Sequence, residues 1–273
     1  MDQVYSTTRG TGSSAVLARV NNVGVGGFFT GGGIGFLAGA YGYAMDRLRA
    51  IEVVIPCGQI VMATKTNRYA DLFWALQGGG GQFGIVTQFF QEAIPEPKNL
   101  TIAAYYLDNS SATSAAAIRN TVTWFNNNQD PFALMYYVVG VLPSSLAQDP
   151  TTFALRPLLI ALQFNDPTTV AKQQSFEATY QTLFQGLTPI SQITLNTTYD
   201  ALPGLLDPTF PYGFRRGFYG PQTQNITASY LTAINAEMSA YVTSLVLSGE
   251  RAPSPASTIW VLQVSRTTTA NSH

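Results

Sequence analysis

The sequence predicts an α+β fold: a strand pair and a short helix framed by glycine-rich segments, then an antiparallel sheet covered by helices. Three observations predict it. Apolar β-branched runs alternate irregularly with longer helix-like segments, which suits an antiparallel sheet more than a doubly wound one. Pro95 and Pro97 break the chain where this rhythm changes, dividing it into residues 1–97 and 98–273. Apolar residues make up 46% of the 273 and charged residues only 11%. That is enough to bury a core and too little charge for a salt-bridge-laced coiled coil.

The elements follow in order. Residues 51–55 are a β-branched strand stopped by the turn Pro56-Cys57-Gly58, and residues 59–63 return as its hairpin partner. Residues 71–76 form a short helical piece ending at glycines 78–81, and residues 83–90 form a strand. Residues 101–107 open the second part as a strand. Ser110 caps a helix running to about Phe125. Residues 134–141 and 153–164 are apolar strands. Asp166-Pro167 start a helix, with a carboxylate at the cap and proline at the first turn, which runs to about Phe184 and stops at Gly186. Residues 214–219 are a short aromatic strand. Residues 228–247 are a long helix with Gly249 past its end, and residues 258–264 are a last strand.

Composition excludes several functions. The net charge is −1, with 14 Lys+Arg and no basic patch to displace counterions, so no nucleic-acid partner is expected. Cys57 is the only cysteine, so the chain has no disulfide framework. His273 is the only histidine, which leaves no Ser-His-Asp triad and no histidine-based zinc site. No metal is expected, and the chemistry falls to a bound cofactor. Residues 23–45 are uncharged and carry Gly27, Gly31, Gly35 and Gly39 at the small-residue spacing of membrane helices. Nine glycines in residues 24–42, each costing about 1 kcal/mol in a helix, argue against a membrane span there. The first residues show no charged-then-apolar leader pattern. N-x-[ST] sequons occur at Asn99, Asn109, Asn196 and Asn225.

Glycine-rich segments let backbone N–H groups approach a phosphate, which needs donors more than positive charge. Tight turns are the plainer reading of any one of them. Gly33-Ile34-Gly35-Phe36-Leu37-Ala38 fits G-x-G-x-x-A, but no strand leads into it, so a Rossmann site is not expected. No P-loop pattern occurs.

Residues 23–35 read V-G-V-G-G-F-F-T-G-G-G-I-G. This resembles the V-G-V-G-G-x-x-x-G-G-G-x-G signature of FAD-linked oxidoreductases of the vanillyl-alcohol-oxidase, PCMH-type superfamily, in its berberine-bridge-enzyme-like branch. The likeness continues through Tyr41-Gly42, Asp46, Glu52-Val53-Val54 and residues 71–76 to residues 78–87. It covers about residues 19–95 and weakens beyond Leu100, where residues 211–220 are similar to a stretch in the substrate domain of fungal members. The resemblance implies the second half of a PCMH-type FAD-binding domain in residues 1–97 and an incomplete substrate domain in 98–273. It implies FAD beside Val23, Gly24, Gly26, Gly27, Gly31, Gly32, Gly33 and Gly35, with Val23 at the position that tunes oxygen access. Ile85 and Val86 would pair their backbone with the adenine side. Plain core packing stays open for Val23, Ile85 and Val86. Asp46 would brace the loop. Tyr212 and Tyr219 would line a substrate pocket, with packing as the plainer role, and either Arg215 or Arg216 could face an anionic substrate.

The implied activity is oxidation of an alcohol, sugar or secondary metabolite by hydride transfer to FAD, with O2 as electron acceptor, in a secreted protein. The sequence also departs from the family pattern. Val20 stands where doubly linked members have cysteine, so no cysteinyl-flavin bond is expected. The family's first flavin-binding segment and its closing aromatic segment find no match in this chain, nor does a catalytic base. A non-catalytic fragment with half a flavin cradle is therefore the alternative. Cys57, in place of a family aspartate, is expected to be an inert, half-buried thiol.

Overall fold

β2 (Leu48–Val54) and β3 (Ile60–Thr64) form the expected hairpin, with Val53 opposite Val61. Its turn is closed by the Gly58 N–H donating to Ile55 O at 2.8 Å, with Gly58 at φ +85°. That region suits glycine because a Cβ is strained there. β4 (Ile85–Gln91) pairs antiparallel on the other side of β2, giving a three-stranded sheet ordered β3-β2-β4. Alternate residues Ile51, Val53, Val61 and Ala63 are buried. Helix α4 (Ala70–Leu76) adds Phe73 and Leu76 to the same core. This computed structural model describes residues 1–141, 155–165, 174–207, 225–247 and 259–264.

Smaller elements precede this sheet. They are α1 (Asp2–Thr8), β1 (Ser13–Ser14), α2 (Val25–Thr30), α3 (Ala38–Tyr41) and a 3-10 turn, Ala44–Arg47. No apolar periodicity in the sequence marks α1, and α2 and α3 interrupt the glycine-rich stretch with short helical turns. β1 pairs with β5 (Ile94–Pro95).

The second sheet is antiparallel and five-stranded, ordered β10-β7-β8-β6-β9. Its strands are β6 (Leu100–Tyr106), β7 (Ala133–Val141), β8 (Leu155–Phe164), β9 (Ser191–Thr197) and β10 (Ile259–Val264). Side chains alternate between its faces. Ala133, Met135, Tyr137 and Val139 of β7 pack with Leu159 and Ala161 beneath the helices. Leu134, Tyr136 and Val138 pack with Leu158 and Leu162 in the core that also holds Tyr5, Leu17, Phe36 and Ile51. One core therefore runs across position 97.

Helices α5 (Ser111–Asn127), α6 (Phe176–Phe184) and α8 (Ala228–Leu247) cover the other face, and a short α7 (Leu202–Leu206) follows β9. Ser110 caps α5 as expected, its Oγ accepting from Thr113 N at 3.2 Å. The helix expected from Asp166-Pro167 is corrected. Residues 174 and 175 are not helical, and α6 starts at Phe176 with Ser175 Oγ accepting from Ala178 N. The Asp166-Pro167 start itself lies outside the described residues. The strand expected at 214–219 and Gly249 also lie outside them. β9 was missed because Ser-Gln-Ile-Thr-Leu-Asn-Thr is polar and mostly exposed, without a continuous apolar run.

Tyr180 ties the sheet to the helices. Its buried hydroxyl shares its one proton between Leu134 O at 2.9 Å and Leu162 O at 2.5 Å, and its ring stacks on Trp124 at 5.3 Å. Tyr180→Phe removes this shared donation to the two buried carbonyls. A loss of about 2 kcal/mol is expected in urea unfolding, and a change below about 0.5 kcal/mol would contradict this anchoring role.

Candidate functional site

The glycine segment begins where a clamped strand-like stretch ends. Tyr199 Oη donates to Ala15 O at 3.1 Å and Tyr5 Oη to Ala18 O at 3.0 Å. Arg19 lies over the Tyr136 ring at 5.9 Å. Asp207 accepts twice from Asn21, from its backbone N at 3.0 Å and its Nδ2 at 2.9 Å. The Met1 ammonium donates to Val23 O at 2.9 Å. Burial pushes the phenols of Tyr5 and Tyr136 up, and that of Tyr199 to about 12, so all three keep their protons, and Tyr5 and Tyr199 act as donors. Sequence reading missed this clamp. Tyr199 and Asp207 act across 184 and 186 residues, with no local signal.

Val23 is half-buried, and Gly24 caps α2. The candidate glycines then divide by what surrounds them. A Cβ at Gly35 would lie 2.5 Å from Leu17 O, and one at Gly31 would lie 2.8 Å from Gly27 O. Gly33, at φ +79°, would meet Ala44 Cβ at 2.6 Å, and Gly32 sits at φ +105°. Internal geometry alone accounts for these four. Gly24, Gly26 and Gly27 are different: they are exposed, and a Cβ on any of them meets nothing within 4 Å. Nothing among the described residues requires glycine there.

The 3-10 turn holds the loop from behind. Ala44 N donates to Gly33 O and Met45 N to Gly32 O. Asp46 Oδ2 accepts from Tyr43 N at 2.8 Å, so Asp46 braces the turn as the sequence suggested. The second glycine cluster comes alongside: Gly80 N donates to Thr30 O at 2.9 Å, joining it to the end of α2. Phe29 of α2 and Phe89 of β4 pack at 5.0 Å. Ile85 and Val86 stand on β4 opposite Val54 and Val53. Val86 packs on the core, whereas Ile85 is 72% exposed. Tyr212, Tyr219, Arg215 and Arg216 lie outside the described residues.

Cys57 is fully at the surface rather than half-buried, because the Pro56-Cys57-Gly58 turn projects beyond the hairpin. The carboxylates near the loop are engaged: Glu52 accepts from Thr87 Oγ1 at 2.6 Å, and Glu92 pairs with Arg47 and Arg49. A cleft of about 370 Å³ between α5 and α8, bordered by Ser114, Ile118, Val139 and Asn235, lies on the helix side of the large sheet, away from the glycine loop. Among the described residues, no helix is long and apolar enough to cross a membrane.

No family model matches the chain. It is 47% identical over 78 residues to an FAD-linked oxidoreductase of Aspergillus terreus, covering 29% of this chain and 16% of that protein. It is 35% identical over 122 residues to a carbohydrate oxidase of Microdochium nivale, covering 43% and 24%. It is 27% identical over 216 residues to a bifunctional solanapyrone synthase of Alternaria solani, covering 79% and 37%. The matched stretches thus span between 16% and 37% of these relatives' length. Among solved structures, a glycopeptide hexose oxidase complexed with teicoplanin aligns with a TM-score of 0.65 at 21% identity, covering 89% of this chain and 52% of that one. The Microdochium nivale carbohydrate oxidase in complex with a substrate analogue aligns at 0.57 and 24%, covering 75% and 40%. These likenesses establish the fold.

Proposed function

We propose that this chain, a homologue of FAD-linked oxidoreductases with the fold of berberine-bridge-like and carbohydrate oxidases of the PCMH-type superfamily, holds FAD along residues 23–27 and forms the flavin-side scaffold of an oxidase. One observation carries the reading. Gly24, Gly26 and Gly27 are exposed glycines that no contact among the described residues requires, on a loop clamped at both ends. Backbone donors with open space around them fit a pyrophosphate in a chain with few cations.

FAD held here would supply two-electron chemistry, hydride removal from a C–H bond next to oxygen or nitrogen with O2 as the final electron acceptor. The chain's own residues bind and orient. The N–H groups of residues 24–27 face the ligand. Gly31, Gly32, Gly33 and Gly35 let the loop pack on residues 16–17 and 44–45. The half-buried Val23 limits access beside the flavin, and Ile85 and Val86 border the adenine side. The substrate class is an alcohol, sugar or secondary metabolite. Residues 1–97 supply the second half of the FAD-binding domain, and the five-stranded sheet supplies the substrate side.

A second reading, a non-catalytic chain with an incomplete flavin site, is favoured by the engaged state of Glu52, Asp46 and Glu92, none of which is placed as a general base. The visible spectrum tests the first reading. After incubation with FAD and desalting, the purified chain is expected to keep a flavin band. A chain that stays colourless would overturn the first reading and support the second. Peroxide formation with an added alcohol or sugar separates the first reading from the second.

A further inference from the structure

Asn196 sits on β9, which ends the five-stranded sheet among the described residues. It is exposed, and it opens the sequon Asn196-Thr197-Thr198. Directly opposite on β6, Thr101 donates from Oγ1 to Asn196 Oδ1 at 2.8 Å. Thr101 is itself the hydroxyl residue of the sequon at Asn99. All four sequon asparagines are exposed, and none of the four falls in residues 1–98. Thr101, Ala103 and Tyr105 alternate onto the helix side of the sheet, where Tyr105 stacks on Phe184 of α6 at 3.9 Å. Asn196 shares that face by register. The glycine loop belongs to the other side, where Leu100, Ile102 and Tyr106 meet the core of residues 1–97.

Among the described residues, β9 is also an unguarded edge. Residues 191–197 contain no charge and no proline, and Ile193 is 48% exposed on it, with Ile190 45% exposed just before it. Edges of this kind pair with other chains unless something blocks them. We propose that Asn196 carries an N-linked glycan that shields this edge. The Asn196 Nδ2 attacks the anomeric carbon of an oligosaccharide carried on a polyisoprenyl diphosphate. The C–N bond forms, the C–O bond to the diphosphate breaks, the diphosphate leaves with the electron pair, and Nδ2 gives up one proton. Nothing is oxidised or reduced. The linkage leaves Oδ1 untouched, so the glycosylated residue still accepts from Thr101.

The test secretes the chain from a eukaryotic host, releases N-glycans enzymatically in heavy-oxygen water, and maps peptides by mass. Release converts an occupied asparagine to heavy-labelled aspartate. Position 196 is expected to carry that label in the wild type and to lose it in Thr198→Ala, which removes the sequon hydroxyl and keeps the Asn196–Thr101 bond. Unlabelled peptide at 196 in secreted wild type overturns the site. Sedimentation of the folded protein before and after release tests the shielding without a variant. Concentration-dependent association is expected only after release, and unchanged sedimentation overturns the shielding role.

Discussion

Raising the pH from below 10 to above 12 is expected to remove about 5 kcal/mol of stability, through two tyrosines alone. Burial pushes the Tyr137 and Tyr199 phenols up to about 12. A tyrosine in the unfolded chain ionises near pH 10. Below pH 10 both states hold the proton, and the stability contribution is fully present. Between pH 10 and 12 the unfolded chain loses protons that the folded chain keeps, so stability falls. Each unit of difference is worth about 1.4 kcal/mol per group, and two groups differ by about two units each. Burial raises Tyr5, Tyr136 and Tyr180 as well, which adds to the fall. An alkaline titration followed by phenolate absorbance and circular dichroism checks this. Phenolate is expected in two phases, with the second coinciding with unfolding. If all 14 tyrosines ionise in one phase near pH 10 with the dichroism unchanged, the burial described is wrong.

Gly35→Ala is expected to cost about 3 kcal/mol, a core overpacking of the severe kind. The new Cβ would stand 2.5 Å from Leu17 O and 3.1 Å from Val16 Cγ1. Val16 and Leu17 are fully buried, and Leu17 O belongs to the backbone, so no flexible side-chain end can yield. The two segments must part, which disturbs the stretch clamped by Tyr5 and Tyr199. Gly81→Ala is the control, because a Cβ there meets nothing within 4 Å. Thermal melts are expected to show a large drop for the first variant and little change for the second. Equal melts would mean that packing does not explain Gly35.

Local chemistry made part of this fold legible. The 51–63 hairpin followed from β-branched runs around Pro56-Cys57-Gly58, α5 from Ser110, and α8 from its apolar length. Elements held by distant partners were not legible. β9 is a polar edge strand recruited by pairing with β6. α6 starts at the Ser175 cap, so the unbroken helix expected up to Phe184 is interrupted at residues 174 and 175. In the candidate site, the glycine pattern picked out the loop but could not say which glycines serve the chain's own packing. That distinction rests on Leu17, Ala44 and Phe28, which approach the loop in space. The Asp207–Asn21 clamp, 186 residues apart, leaves no local trace.

The central claim is that residues 23–27 are kept bare for FAD. Gly26→Ala tests it most directly, because the two forces on that position oppose each other. Gly26 lies within α2 with open space around it, so alanine is expected to stabilise the free chain by about 0.5–1 kcal/mol. The same methyl would stand where the ligand's phosphates approach. A titration of FAD into wild type and Gly26→Ala, followed by flavin fluorescence beside thermal melts of the free proteins, is expected to show at least tenfold weaker binding in the variant and an equal or higher melting temperature. Equal FAD affinity in a variant that melts no lower than wild type would contradict the claim.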